Sequence, residues 1–512
     1  MEYPRRSYWH ETADNKIDAA PNKDKLSGSS YDVLIIGAGL TGLNTAYLLK
    51  DSGLKIGIIE ATTVGYGVTG YTTAKITVQH DLIYDYLINS FSLEEAKQYL
   101  KANEEGIKLY KKIIEENNIQ CDYREQTAYV YAVTNRENDK IKNELDAYEK
   151  LGIDGFYTES IPLPIKVKGA IGIKNQGQFN PLKYLYTLYN IISRAEGCEI
   201  YENVKALNIE PSDGKHIVTT DAGEIKADKV IVATHYPFDN SFGLYFLRMY
   251  QLKSYVIAAR TKTEPFEGMY INYNDPVYSM RYQFSDNENI LLLGGGGKHR
   301  TGEKENEEDS YRELEDFLNE NFPGAEIISK WSTQDCKSYD KIPFIGLYSN
   351  SVDNLYVATG YKKWGMSHSA AAAIILRNKI LNIEDDFSNV FNPSRYTVAQ
   401  SSKEFLNSVG VILKSFAKRI APAPDNVEDI ESGAGKIINY HSMKIGVYKD
   451  EKGDYFLINP VCPHLKCALS FNEAEKTWDC PCHGSRFDIK GNVLEGPAVK
   501  PLDRIHNVKI SQ

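Results

Sequence analysis

Two short segments near the C-terminal end of this 512-residue chain combine cysteine and histidine at the spacing of metal ligands. Cys462 is followed by His464, and Cys480 is followed by His483. Two thiolates and two imidazoles bind zinc tetrahedrally, and the same set holds a [2Fe–2S] cluster with the thiolates on one iron and the imidazoles on the other. The spacing therefore predicts a metal site, with zinc as the alternative to the cluster.

The residues around these ligands favour the cluster over zinc. The segments read CPHLKC (462–467) and CPCHGS (480–485), so each carries an additional cysteine, and a Gly-Pro-Ala run at 496–498 offers a third loop. They resemble the two cluster-binding boxes of Rieske proteins, and the resemblance spans 431–512. It implies a small all-β Rieske domain, a [2Fe–2S] cluster on Cys462, His464, Cys480 and His483, and a disulfide between Cys467 and Cys482.

Two positions depart from the respiratory Rieske pattern. Lys466 stands where those proteins usually have glycine, and Phe487 stands where they have a tyrosine that donates a hydrogen bond to a ligand sulfur. Hydrogen bonds to sulfur raise the reduction potential of a cluster. We expect Ser485 still to donate one such bond, and we expect a potential below that of the respiratory proteins.

A second constellation lies near the N-terminal end. Gly37, Gly39 and Gly42 follow a short apolar strand and open a helix, and Glu60 ends the next strand. In a βαβ unit such glycines let a pyrophosphate approach the helix N-terminus, and the acid binds a ribose. A glycine-rich turn without a ligand is the alternative, but the full strand–helix–strand context favours a dinucleotide site.

Five further segments, at 67–75, 203–204, 232–234, 340–346 and 358–367, resemble motifs of the D-amino-acid-oxidase-like family of FAD oxidoreductases. The resemblance covers about residues 28–395. The resemblance implies an α/β FAD-binding Rossmann-like domain with an inserted α+β substrate domain. No second strand–GxGxxG–helix unit is present, which argues against a separate NAD(P)H domain. By position in the family's motifs, FAD contacts are expected from Gly37, Gly39, Gly42, Glu60, Thr72, Thr73, Ala74, Val204, Thr234, Gly360, Trp364, Gly365 and Met366.

These patterns divide the chain into four parts. We predict an N-terminal arm (1–30), the FAD-dependent oxidoreductase (31–395), a linker with an amphipathic helix (396–430) and the Rieske domain (431–512). The helix, at 403–420, carries apolar residues at helical spacing and ends before Ala-Pro-Ala-Pro. It either docks the cluster domain onto the flavin domain, the interpretation we favour, or lies on a membrane near a quinone pool.

Bulk properties limit the partners. The chain of 512 residues is too long for a single hydrophobic core, so two or more domains are expected. The net charge is −10 and no long Lys/Arg run is present, so nucleic acid is not an expected partner. No apolar run approaches 18 residues, so no transmembrane segment is expected. A signal peptide would require an apolar region after Arg5 and Arg6, and the residues that follow them are polar and charged. We therefore expect a cytoplasmic protein, with peripheral membrane association left open.

One chain with both groups joins a two-electron carrier to a one-electron carrier. It resembles the bacterial Rieske-containing FAD oxidoreductases, which implies that an amine or amino acid reduces FAD and that the cluster passes single electrons to a quinone or redox protein. Reverse flow and a non-catalytic electron shuttle or redox sensor are the alternatives. A Rieske oxygenase is disfavoured because the remaining histidines include no closely spaced pair for a mononuclear iron.

The substrate pocket is less determined by the sequence. Four residues lie in segments that, by the family resemblance, face the pocket, and an arginine there would clamp a carboxylate. Structural ion pairing is an equally good explanation for each. The four candidates are Lys253, Tyr278, Arg281 and Lys363.

Overall fold

The computed structural model describes residues 6–14, 17–273, 275–285, 288–303, 307–395, 402–421, 423, 430–441 and 443–506, with the backbone alone at 297, 298 and 402–404. Outside the described residues lie parts of the predicted arm (1–5, 15–16), of the predicted linker (396–401, 422, 424–429) and of the predicted Rieske domain (442, 507–512).

The elements of the described chain follow in chain order. The helices are α1 (Tyr8–Thr12), α2 (Leu40–Leu49), α3 (Tyr84–Ser90), α4 (Leu93–Glu116), α5 (Asn135–Leu151), α6 (Pro181–Ser193), α7 (Glu308–Asn321), α8 (Gly365–Leu381) and α9 (Ser402–Ile420). The strands are β1 (Ser30–Ile36), β2 (Ile56–Ile59), β3 (Lys75–Ile76), β4 (Arg124–Ala132), β5 (Gly155–Thr158), β6 (Gly169–Gln178), β7 (Cys198–Tyr201), β8 (Ala206–Ser212), β9 (Lys215–Thr220), β10 (Gly223–Val232), β11 (Met249–Arg260), β12 (Met269–Asn272), β13 (Tyr278–Phe284), β14 (Asn289–Arg300), β15 (Glu326–Ser338), β16 (Phe344–Ser349), β17 (Val352–Thr359), β18 (Gly435–Tyr440), β19 (Met443–Lys449), β20 (Tyr455–Ile458), β21 (Ser470–Asn472), β22 (Thr477–Asp479), β23 (Arg486–Phe487) and β24 (Val493–Glu495).

The first sheet has the order β16-β17-β10-β1-β2-β7, with β8 and β9 paired beside β10. Its central strands are parallel: β1 pairs with β2 and β10, and β10 pairs with β17. The side chains from Val33 to Ile36 are all buried, as expected for a strand covered on both faces. Helices α2 and α8 pack against each other on this sheet. This is the predicted Rossmann-like layer.

The second sheet has the order β15-β11-β14-β13-β12-β4-β6-β3, with β5 beside β6, and only its β12–β4 pair is parallel. The chain alternates between the sheets: β3–β6 and β11–β15 belong to the second, and β7–β10 and β16–β17 return to the first. This interleaving, with α7 packed on β11 and β14, confirms the inserted α+β domain.

The C-terminal part is built from strands, as the predicted all-β domain requires. One sheet runs β18-β19-β20 and a second runs β21-β22-β23-β24. Trp478 and Phe487, both fully buried, pack with the cysteines of the two metal-ligand loops. Within the described residues, no helix is both long enough and apolar enough to cross a membrane.

Candidate flavin and iron–sulfur sites

The glycine loop between β1 and α2 is too tightly packed for side chains at two of its three glycines. Gly37 has a φ of +109°, and a Cβ there would lie 2.6 Å from the carbonyl oxygen of Ala233. A Cβ at Gly42 would lie 1.9 Å from the carbonyl oxygen of Gly37. Gly39 instead faces a cavity, where an added Cβ would meet only Thr69, at 3.4 Å. The loop therefore exposes backbone N–H groups without side chains at the N-terminus of α2, an arrangement that favours the binding of a phosphate group.

Glu60 joins the end of β2 to this loop. Its carboxylate accepts hydrogen bonds from the backbone N–H of Ala38 (3.0 Å) and from the backbone and hydroxyl of Thr62 (3.1 and 3.2 Å). The backbone N–H of Val204 donates to the carbonyl of Glu60 at 2.8 Å. This arrangement fixes an acid at the cavity wall beside the glycine loop, where a ribose hydroxyl would bind.

Most residues predicted to bind FAD share a single cavity between the two sheets. Three do not line it. Gly42 packs under Gly37, Ala74 is fully buried, and Gly360 lies against Met249. The remaining predicted residues form its wall, namely Gly37, Gly39, Glu60, Thr72, Thr73, Val204, Thr234, Trp364, Gly365 and Met366. An acid, a bare glycine loop and the N-terminus of α8 in one cavity fit the ribose, pyrophosphate and ring of FAD.

Of the four substrate candidates, Lys363 alone lines this cavity, with its Nζ 3.9 Å from Asp335. Arg281 is fully buried and donates to the carbonyl oxygens of Thr73 and Phe179 and to Gln283, so its guanidinium supports the protein and does not face a substrate. Burial lowers the pKa of Arg281 to about 9.

The other two candidates also lie outside the cavity wall. The ring of Tyr278 stacks on Phe317 at a centroid distance of 3.8 Å. Lys253 is fully buried between Glu307 (3.1 Å) and Glu475 (2.5 Å), and Glu475 belongs to the C-terminal part of the chain. These are the structural roles that the sequence left as the alternative.

Lys75 is a cavity residue that the sequence reasoning did not single out. It is fully buried on β3, and its Nζ donates to the carbonyl oxygen of Tyr270 (2.7 Å) and to Ser279 (2.5 Å). Burial, together with the charge of Arg281, lowers the pKa of Lys75 to about 7.

The four predicted metal ligands converge from two loops of the C-terminal part. The thiols of Cys462 and Cys480 lie close enough that each shifts the pKa of the other, and both are almost fully buried. The rings of His464 and His483 are 5.0 Å apart, and in the described part of the chain neither Nδ1 has a hydrogen-bond partner although both are buried. Two adjacent sulfurs and two free imidazole nitrogens fit the donor set of a Rieske cluster.

Further contacts hold these loops together. A disulfide joins Cys467 to Cys482, as the family resemblance implied. The hydroxyl of Ser485 accepts a hydrogen bond from the backbone N–H of Ala498 (3.0 Å), which ties the third loop to the second. The same hydroxyl helps to lower the pKa of the Cys462 thiol, and its donation to a ligand sulfur stays a prediction.

The FAD-binding part covers the histidine side of this centre. Asn240 forms a 2.7 Å hydrogen bond with Nε2 of His464, and the ring of Phe246 lies 6.0 Å from that of His483. Gln251 donates to the backbone carbonyl of His483 (2.8 Å), and Gln334 donates to that of Gly484 (3.0 Å). No local motif marks Gln251 or Gln334, which lie on the paired strands β11 and β15.

The flavin cavity and the metal centre share a wall. Gln251 and Gln334 line the cavity while holding the cluster-binding loop, and residues 493–499 of the C-terminal part line the same cavity. The cluster site is therefore separated from the flavin site by one layer of residues.

A buried ion network fastens the two parts. Arg486 is fully buried and pairs with Glu475, Asp479 (3.2 Å) and Glu495 (2.7 Å). Lys253 of the FAD-binding part shares Glu475 with it. Charges removed from water require such complete pairing, so the network specifies one docked position for the C-terminal part.

Comparison with known proteins supports both halves. The model of the FAD dependent oxidoreductase family matches residues 32–378, and that of the Rieske [2Fe-2S] domain matches 423–507. The chain is 39% identical over 500 residues to YhfW of Bacillus subtilis (strain 168), whose name describes a Rieske 2Fe-2S iron-sulfur protein; the match covers 98% of this chain and 97% of that one.

More distant relatives match the FAD-binding part. Gamma-glutamylputrescine oxidoreductase of Escherichia coli (strain K12) is 23% identical over 388 residues, 73% of this chain and 89% of that one. Glycine oxidase from Geobacillus kaustophilus superposes with a TM-score of 0.60 at 19% identity, covering 72% of this chain and 99% of that one, which shows the shared fold. This chain therefore belongs to the FAD dependent oxidoreductase family and carries a C-terminal Rieske domain, so that FAD and a [2Fe–2S] cluster are its cofactors.

Proposed function

We propose that this enzyme oxidises the C–N bond of a small amine or amino acid and passes the electrons singly, through the Rieske cluster, to an external acceptor. The observation that carries the proposal is the shared wall: residues 493–499 of the Rieske domain line the flavin cavity, and Gln251 and Gln334 join that cavity to the loop of His483. A flavin and a cluster this close favour direct transfer between them.

The chemistry divides between cofactors and chain. Bound FAD would supply a two-electron acceptor for hydride from the carbon beside nitrogen, and a cluster held by Cys462, His464, Cys480 and His483 would supply one-electron transfer. The chain's own residues bind and orient the substrate in a cavity closed by the Rieske domain. Lys75 and Lys363 lie in its wall, and the lowered pKa of Lys75 makes this amine a proton acceptor near neutral pH.

The substrate class is supported by the relatives. Gamma-glutamylputrescine oxidoreductase and glycine oxidase are named for amino compounds, and both match the FAD-binding part over nearly their whole length. The carboxylate clamp expected of Arg281 is unavailable, because that side chain is occupied by protein carbonyls. We therefore place amines without a carboxylate beside amino acids in the candidate set.

The test is an anaerobic titration of the holoenzyme with a panel of amines and amino acids. Flavin absorbance and the EPR signal of the reduced Rieske cluster are recorded together, and we expect flavin bleaching followed by cluster reduction. Bleaching without cluster reduction would refute the coupled route. Failure of every compound to bleach the flavin would favour the non-catalytic shuttle or sensor.

A matched control separates the two steps. Gln334→Leu removes the hydrogen bonds of this amide to Gly484, Glu495 and Thr301 and changes none of the residues predicted to contact FAD. We expect flavin reduction at the wild-type rate and slower appearance of the cluster signal. Equal slowing of both signals would show that the wall acts on substrate binding.

A further inference from the structure

Large apolar side chains are concentrated on one helix of the surface. Of the ten large hydrophobic residues that are exposed in the described chain, five lie on α9, and three of these have exposed fractions of 67% (Leu406), 64% (Leu413) and 87% (Ile420). The others on this helix are Phe405 and Phe416. At 3.6 residues per turn, these five positions share one side of the helix. We call this side the α9 stripe.

Another side of α9 is docked on the protein, as the contacts of the described residues show. Ser408 accepts hydrogen bonds from Arg300 (2.6 Å) and Tyr339 (2.6 Å) of the FAD-binding part. Ser415 accepts one from the backbone N–H of Ala468 (2.9 Å), beside the first cluster-binding loop. Docking between the two parts therefore accounts for one face of the helix and leaves the α9 stripe in solvent.

The charges of α9 are predominantly positive. Lys414, Lys418 and Arg419 are exposed, and the single acidic residue in the sequence of this helix, Glu404, lies in its first turn. The whole chain carries a net charge of −10, so this cationic helix runs against the composition of the protein. A second copy of the chain would bring two cationic helices together, whereas an anionic surface is complementary to them.

The stripe lies close to the metal centre. Arg419 donates to the backbone carbonyl of Lys466, next to the disulfide cysteine Cys467. Phe405 and the exposed Leu247 line one surface groove, and Leu247 follows the segment whose Asn240 contacts His464. The apolar surface is thus adjacent to the cluster-binding loops.

We propose that the α9 stripe binds the surface of an anionic lipid bilayer, with the helix lying in the plane of the interface. Leu406, Leu413 and Ile420 enter the boundary between headgroups and acyl chains, and the long side chain of Lys414, nearer to the stripe than that of Lys418, reaches anionic headgroups. This attachment holds the cluster at the membrane surface, and it does not depend on the substrate of the flavin.

The experiment is co-sedimentation of the full-length holoenzyme with vesicles of phosphatidylcholine, with and without phosphatidylglycerol. We expect binding to the anionic vesicles that weakens as salt rises. The double variant Leu413→Asp, Ile420→Asp should bind at least about tenfold more weakly. The matched control places the same charge at two exposed aliphatic positions elsewhere, Leu93→Asp with Ile383→Asp, and should bind like wild type.

Flavin absorbance and circular dichroism verify that each variant is folded, since all four positions are exposed. Equal binding of the stripe variant and the control would overturn the proposal, and so would equal binding to both vesicle types. Light scattering provides the remaining outcome. If the wild type is a dimer that the stripe variant converts to monomer, with no vesicle binding, the occupant of the stripe is a second copy and the proposal is wrong.

Discussion

Replacement of Lys253 by methionine tests whether buried charges hold the two parts of the enzyme together. Its ammonium has no solvent exposure and lies 2.5 Å from Glu475 and 3.1 Å from Glu307. Removing one partner of a buried ion pair costs about 3–5 kcal/mol. Arg486 still pairs with Glu475 in the variant, so the uncompensated charge is that of Glu307 and we expect the lower end, about 3 kcal/mol.

The loss should depend on pH in a defined direction. Burial already raises the pKa of Glu307 despite the charge of Lys253, and without that lysine the pKa rises further. A carboxyl whose folded pKa lies above its unfolded value destabilises the fold increasingly as pH rises from the unfolded pKa to the folded pKa, and it has no effect below the unfolded pKa. The variant should therefore lose less stability at pH 5 than at pH 8, because Glu307 takes up a proton.

The assay is urea unfolding of the holoenzyme, followed by the visible circular dichroism of the cluster, with Lys101→Met as the control. Lys101 pairs with Asp386 on the surface, where the side chains are 49% and 72% exposed, and such a pair is worth about 1 kcal/mol or less. If Lys253→Met shifts the transition no more than Lys101→Met does, or more at pH 5 than at pH 8, the reasoning about the buried network is refuted.

Three further predictions concern the two cofactor sites. Ser485→Ala should lower the reduction potential of the cluster, because it removes a hydrogen bond to a ligand sulfur, and Phe487→Tyr should raise it, because it adds one. An EPR-monitored redox titration measures both, and no rise in the tyrosine variant would contradict the reasoning. Gly42→Ala should weaken FAD binding at least about tenfold, measured by released flavin fluorescence, because its Cβ would lie 1.9 Å from the carbonyl oxygen of Gly37. Lys75→Met should raise the melting temperature more at pH 6 than at pH 10. Burial lowers the pKa of Lys75 from 10.5 to about 7, so this lysine destabilises the fold increasingly as pH falls from 10.5 to 7 and by the full amount below 7. An equal gain at both pH values would show that burial does not perturb the pKa of this amine.

The features that sequence predicted well are those encoded within a few residues. The glycine loop, Glu60 at the end of β2 and the two Cys/His loops each depend on neighbouring positions, because a tight turn or a metal ligand pair is specified locally. The interleaving of two sheets also followed, since each segment resembled a motif of known order. The structure brings most of these segments to one cavity and the two Cys/His loops to one place, and the binding of FAD and of the cluster by the named residues stays a prediction.

What sequence did not predict depends on contacts between distant positions. Lys253 and Arg281 look like pocket residues in their own segments, and only the partners across the fold show that they are structural. Gln251 and Gln334 belong to no sequence motif. An amide side chain that joins two domains needs only a backbone carbonyl within reach on the other domain. Lys75 was hidden for a related reason, since its burial arises from strands about 200 positions away.

The docking of the Rieske domain constrains where an external acceptor can meet the cluster. Asn240 contacts His464, and the ring of Phe246 lies against that of His483, so the histidine edge faces the FAD-binding part. On the proposed function, electrons enter at that edge from the flavin. We infer that they leave past the first cluster-binding loop, against which α9 packs through Ser415 and Arg419. The same helix carries the α9 stripe, so the proposed exit and the proposed membrane contact lie on one side of the molecule.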